Sequence, residues 1–137
     1  MATFNKFNSF VEALAEGVHN LGSDTLKALL TNAAPVATNT VKANLTEIAA
    51  GNGYVAGGPT IPVTSSSQTG GTYSLVNTDT VITASGGSIG PFRYVALYND
   101  TATGDELIGW YDYGSSITLN DGETFTIDFG ASTITLA

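Results

Sequence analysis

Arg93-Tyr-Val-Ala-Leu-Tyr98 leads through Asn99-Asp-Thr-Ala-Thr-Gly-Asp105 into Glu106-Leu-Ile-Gly-Trp-Tyr111. Aromatic and aliphatic residues fill the flanks, and Asn, Asp, Thr and Gly fill the break, which is the pattern of a strand pair joined by a turn. A second pair follows at once. Ile117-Thr-Leu119 leads through Asn120-Asp-Gly122 into Thr124-Phe-Thr-Ile-Asp-Phe129. There Phe125, Ile127 and Phe129 alternate with Thr124, Thr126 and Asp128, so this strand has one wet face.

The first pair differs. If Tyr98 lies opposite Glu106, then Ala96 lies opposite Ile108 and Tyr94 opposite Trp110. Tyr94, Ala96, Tyr98, Ile108 and Trp110 then share one face, and Val95, Leu97, Leu107 and Tyr111 share the other. Both faces are apolar and both need cover. An opposing sheet supplies one cover; the N-terminal helix or another subunit supplies the second. A slip of one residue would redistribute these side chains.

Working outward, residues 72–76, 80–84, 93–98, 106–111, 116–119, 124–129 and 133–136 read as short strands at close intervals. That spacing predicts a mainly β fold, an antiparallel β-sandwich or jelly-roll-like barrel, with one N-terminal amphipathic helix. The helix is expected over residues 4–21. Phe7, Phe10, Val11, Leu14 and Val18 fall at i, i+3, i+4, i+7 and i+11, one apolar stripe. Ser9-x-x-Glu12 fits a capping box, and Gly22 a C-terminal stop. The helix either packs on its own sheet or serves as an arm that docks on a neighbour. Residues 24–31 lean to strand. Residues 32–72 are rich in Gly, Pro and Ser and read as loop, with a helical turn in 41–48 and an edge strand in 60–64. One domain spans 1–137, with 1–22 as helix or arm and 23–137 as the β-rich body.

Composition narrows the function. A chain of 137 residues buries roughly two-thirds of its unfolded surface, enough for a core without staples. It has no Cys, hence no disulfide framework or thiolate metal site, and its single His19 excludes any site needing two imidazoles from one chain. Residues 1–68 hold four acids and three Lys, net −1; residues 69–137 hold eight acids and Arg93, net −7. Such a surface repels nucleic acid and anionic lipid, so neither nucleic acid nor membrane is an expected partner. No apolar run approaches the ~18 residues of a membrane span. Met1-Ala-Thr-Phe-Asn-Lys6 lacks the pattern of a cleaved signal peptide.

The chemistry-bearing residues are sparse. Asp100, Asp105, Glu106 and Asp112 form the one acidic group that raises a metal site, but their spacing lacks the order and closing Glu of a calcium loop, and a solvated turn explains them. His19, beside Asn20 at the expected helix end, reads as a partner of helix carbonyls or solvent. Gly51-Asn-Gly53 and Gly57-Gly58 lack the Lys-Ser/Thr of a phosphate loop. Arg93 is a structural partner for Asp112 or Asp100. No catalytic residue, metal or cofactor is expected, and the protein is expected to work through its surfaces rather than as an enzyme.

Three stretches carry a resemblance: Glu47-Ile-Ala-Ala-Gly-Asn-Gly-Tyr-Val-Ala-Gly-Gly58, the run from Tyr94 to Gly114, and Leu119-Asn-Asp-Gly-Glu-Thr-Phe-Thr-Ile-Asp-Phe129. With Phe4-Asn-Lys-Phe7 and residues 24–35, they resemble small virion structural proteins of tailed bacteriophages. Among the roles this resemblance allows, a capsid decoration or cement protein suits the chain best. The resemblance implies the major capsid protein and further copies of the chain as partners, a homotrimer on the capsid exterior, and synthesis in the host cytoplasm. The candidate contact residues are Phe7, Phe10, Tyr94, Tyr98 and Trp110. The alternative is a tail or fibre module in which Trp110, Tyr111 and Tyr113 stack on a sugar or a host receptor.

Overall fold

The computed structural model describes residues 2–137. The chain runs β1 (Thr3–Lys6), α1 (Ser9–Ala15), β2 (Leu26–Thr31), a single 3₁₀ turn (Lys42–Asn44), β3 (Thr60–Ile61), β4 (Val63–Thr69), β5 (Thr72–Asn77), β6 (Thr80–Thr83), β7 (Ile89–Asn99), β8 (Leu107–Leu119), β9 (Thr124–Ile127) and β10 (Ile134–Leu136). β1-β8-β7-β2-β3 form one antiparallel sheet. Facing it are two smaller sheets, β10-β5-β4 and β6-β9. Between the layers lie Ala28, Leu30, Val95, Leu97, Ile108 and Tyr111 from the large sheet, against Leu75, Ile82 and Ile127 from the small ones. The fold is a mainly β, antiparallel sandwich, as its strand spacing predicts.

The long strands β7 and β8 pair with a bulge. Tyr94 faces Asp112, Ala96 faces Trp110 and Leu97 faces Gly109, but Tyr98 faces Leu107, leaving Ile108 as the extra residue. The expected register is therefore displaced by two residues at Tyr94 and Ala96. Leu107 and Ile108 exchange faces: Ile108 enters the sandwich core, and Leu107 joins Leu29, Ala96 and Tyr98 on the outer face. The Leu107 amide, released from regular pairing, donates to the Thr40 carbonyl at 3.0 Å.

The outer face is covered by the chain itself. Phe7 and Leu45 pack on Tyr98 and Leu107, and Trp110 stacks at a tilt on Phe7 with ring centroids 4.6 Å apart. Lys42 lies 5.1 Å above the Tyr98 ring. Neither the helix nor a second subunit is needed there. The Tyr98 hydroxyl donates to Gly57 O at 2.7 Å, tying the 47–59 loop to the same face. That loop also completes the edge of β2 beyond β3, through Ala28 N to Pro59 O and Ile48 N to Leu30 O. It lies so close that a Cβ on Gly58 would collide with the Ala28 carbonyl.

The expected 4–21 helix is replaced by a strand and a shorter helix. β1 pairs with the edge of β8, and Gly109 leaves room for Phe4, whose ring fills the space a Cβ would need. Phe4 packs on the sandwich core and Phe7 on the outer face. Residues three apart on a helix share a face; on a strand they take opposite faces. α1 follows Asn8, which makes no side-chain cap, so Ser9-x-x-Glu12 is not a capping box. It ends well before Gly22. Gly17, at φ +79°, follows the Glu16 cap, and Gly17 N and Val18 N bond to Leu14 O and Ala13 O, a glycine-terminated helix end.

Two further readings change. Residues 117–119 and 124–129 do not form a hairpin: the end of β8 stays with β7 through Ile117–Phe92 and Leu119–Ile89, and β9 crosses to β6. The Asn120-Asp-Gly122 turn carries the chain between layers, with Gly122 N bonded to Ala84 O. The Ser-rich stretch expected as loop is β4, joined to β5 through Gly70 and Gly71, both at positive φ, the geometry of a two-residue hairpin turn.

If Phe7 is a core residue of the outer face and Val11 is a surface residue, their truncations separate. Phe7→Ala is expected to cost about 3–5 kcal/mol. Val11→Ala, at a position 48% exposed, should stay within about 0.5 kcal/mol in urea unfolding. Equal losses at both would restore the continuous stripe.

Candidate functional site

The five contact candidates are largely spent inside the chain. Phe7, Phe10 and Tyr98 are 0–3% exposed, and Tyr94 is buried beneath Arg93, whose guanidinium carbon lies 5.2 Å from its ring centroid. Only Trp110 is half-buried, and it leans on Phe7. In this conformation the first four offer almost no surface to a partner. The sugar-stacking set is also dispersed. Trp110 belongs to the outer face, whereas Tyr111 is buried in the sandwich and Tyr113 is wedged against Phe125, ring centroids 5.0 Å apart. They build no common platform.

The acids of the 100–112 region do not converge. Asp100 pairs with Lys27 at 3.3 Å and Asp105 with Lys42 at 3.6 Å. Arg93 pairs with Asp112 through two nitrogens, at 2.8 and 3.2 Å. That guanidinium, helped by Gly114 N, holds the Asp112 carboxyl below the usual carboxylate range. Among the described residues no group of three or more His, Asp or Glu is placed to hold a metal ion.

Two buried polar sites remain. In the first, Tyr54 is 2% exposed, donates to Glu47 Oε2 at 2.6 Å and accepts from Leu30 N at 3.1 Å. Glu47 Oε2 also accepts from Gly57 N at 2.6 Å. Burial, then the Glu47 bond, raises the Tyr54 hydroxyl far above its usual range. The site pins the 47–57 loop to β2. In the second, His19 is buried against Phe10, not set among helix carbonyls or in solvent. Its Nδ1 lies 3.0 Å from Asn99 Nδ2, which also donates to Asp24 Oδ2 at 2.7 Å. Burial lowers the His19 pKa, against the pull of Glu106 and Asp24.

What the surface does offer lies elsewhere. Val11, Val18 and Leu136 are 38–48% exposed. Val11 and Leu136 line a groove of about 290 Å³ between β1, α1 and β10, together with Phe4, Phe10, Ile108, Ile134 and the charged Lys6. Leu136 also lines an open cleft of about 470 Å³ shared with Leu14, His19, Leu21, Ser66 and Tyr73. β1 and β10 are both outer strands of their sheets. Val36, Val55 and Val81 stand exposed singly and need no partner. Sequence reasoning misses this groove because it reads β1 as helix. Because α1 ends at Ala15, the expected stripe is not buried as a whole, and Val11 and Val18 stay exposed.

Comparison with known proteins finds no matching family model, no matching curated protein and no matching solved structure.

The tyrosines offer a pH test of these burials. Burial raises the hydroxyls of Tyr54, Tyr98, Tyr111 and Tyr113, with Tyr111 pushed up to about 12 from the usual 10. A raised folded-state value stabilises the fold below pH 10, and that contribution is lost as pH climbs toward 12. Absorbance at 295 nm near pH 11 should therefore show several of the six tyrosines still protonated in the native chain and ionised after unfolding in urea. Full ionisation without unfolding would contradict their burial.

Proposed function

We propose that this chain is a structural protein of a tailed-bacteriophage particle, a decoration protein that cements the capsid from outside. The observation that carries the reading is the apolar groove between the outer strands β1 and β10, with Val11 and Leu136 exposed at its walls. The resemblance noted in the sequence supplies the virion setting and the partner, the major capsid protein. Lys27, Lys42 and Arg93 each pair with an acid, and Glu47 and Asp24 accept structural hydrogen bonds, whereas Lys6 lines the groove.

Binding would bury apolar area at a gross ~25 cal/mol per Å², and many copies acting together would raise the force needed to part the capsomers. Self-association into a trimer belongs to this reading. It no longer draws on an uncovered face of β7 and β8, because Phe7, Leu45 and the 47–59 loop cover that face within one chain. The groove is the surface left for contacts, with the capsid protein its proposed occupant.

Particles lacking the protein should open at lower temperature or milder osmotic shock, with cell adsorption little changed. Val11→Lys, at an exposed site in the groove that Lys6 also lines, should leave the fold intact and weaken particle binding by about tenfold or more, since burying two like charges without a partner is costly. Normal shell strength with lost adsorption would reject cement and favour the tail or fibre role.

A further inference from the structure

The buried His19 cluster contains an arrangement that fixes the protonation state of the ring. Asn99 Oδ1 accepts from Thr101 N at 3.0 Å and from Ala102 N at 3.2 Å. Those two backbone donors determine which end of the amide is oxygen. Asn99 Nδ2 must then face both Asp24 Oδ2 and His19 Nδ1. An amide NH₂ can only donate, so Nδ1 carries a lone pair and the proton of neutral His19 sits on Nε2.

A second proton would have to go to Nδ1, directly against an N–H of Asn99. Flipping the amide would relieve that collision but would strand Thr101 N and Ala102 N, and it would turn an oxygen toward Asp24. The charged ring therefore has no acceptor for its Nδ1 proton in its native place. Nε2 is buried without a hydrogen-bond partner, and so is Glu106 Oε2, which pulls toward the charged ring. The groups facing the imidazole come from three elements beyond its own segment. Phe10 packs from α1, Asn99 from the end of β7, and Glu106 from the turn that opens β8; Asp24 lies five residues downstream, where it also accepts from Asn20 N at 2.8 Å. The two acids favour the charged ring, but burial outweighs them.

We propose that His19 is an acid-released latch, holding the 17–24 segment against the end of β7 while the ring is neutral and letting go when the ring is protonated. The segment forms one wall of the cleft shared with Leu14, Leu21, Tyr73 and Leu136, so release widens that cleft and uncovers Phe10 and Leu21. The sign follows from linkage. A histidine whose native pKa is depressed stabilises the latched state above the usual 6.5 and loses that contribution as pH falls below it, by about tenfold in the opening equilibrium per unit of displacement. The latch is a property of the fold and stands apart from the capsid assignment.

His19 is the only histidine, so its ring proton resonance reports the titration without ambiguity. Amide exchange in residues 17–24 between about pH 7.5 and about pH 5, corrected for intrinsic rates, reports the opening. Wild-type protein should titrate below 6.5 and lose protection in this segment as the pH falls, while β7 and β8 stay protected. His19→Gln cannot be protonated, so its protection should be flat with pH. Asn99→Asp replaces the opposing donor with an acceptor and should raise the His19 titration above its usual value, reversing the trend. A wild-type ring titrating at or above 6.5 overturns the latch, as does equal acid loss of protection in wild type and His19→Gln. If Gln at 19 fails to fold, the wild-type titration and the Asn99→Asp reversal still decide.

Discussion

The extra residue at Ile108 is the constraint on which the arrangement of this molecule depends. β7 and β8 form a long ribbon with apolar side chains on both faces, so whichever residue occupies each face must find cover there. By absorbing Ile108, the bulge sends its side chain into the sandwich and turns Leu107 outward beside Tyr98. It also frees the Leu107 amide, and the Thr40 carbonyl takes it. The segment carrying Thr40 is thereby drawn along the start of β8, where Val41 bridges to Glu106 and Lys42 N reaches Asp105 O.

From that point the long connection from β2 to β3 becomes structural. Leu45, Lys42 and Gly57 cover the outer face, and Tyr54 with Glu47 fixes the loop to β2. The aromatic residues most suited to anchor a partner are consumed in this cover. An open groove remains at the seam where the two layers meet, between β1, α1 and β10. Three of the four cations are held in ion pairs, Lys27 with Asp100, Lys42 with Asp105 and Arg93 with Asp112.

The β content and most strand positions were legible because alternation and turn residues are local signals. Phe125, Ile127 and Phe129 show it, as does the short turn near Lys42. Three features were not local. Phe4-Asn-Lys-Phe7 fits a helix or a strand equally well, and only pairing with Gly109–Asp112 decides between them. The bulge leaves no mark within 106–111, because Leu107 and Ile108 are chemically interchangeable. β4 hid because its side chains are nearly all exposed Ser, Thr and Gln, which read as loop until Gly70-Gly71 is seen as a hairpin turn. Four of the contact candidates, Phe7, Phe10, Tyr94 and Tyr98, are buried in the chain itself, because a large aromatic is as good an anchor for its own core as for a partner's. His19 looked like a solvated helix terminus because its distant partner, Asn99, is invisible to local reasoning.

Cross-strand nuclear Overhauser contacts between β7 and β8 test the central claim most directly. The bulged register predicts contacts joining Leu97 with Gly109 and Tyr98 with Leu107, with Ile108 skipped. Contacts joining Ala96 with Ile108 and Tyr94 with Trp110 would mean a regular ribbon, return Leu107 to the sandwich face, and contradict the account.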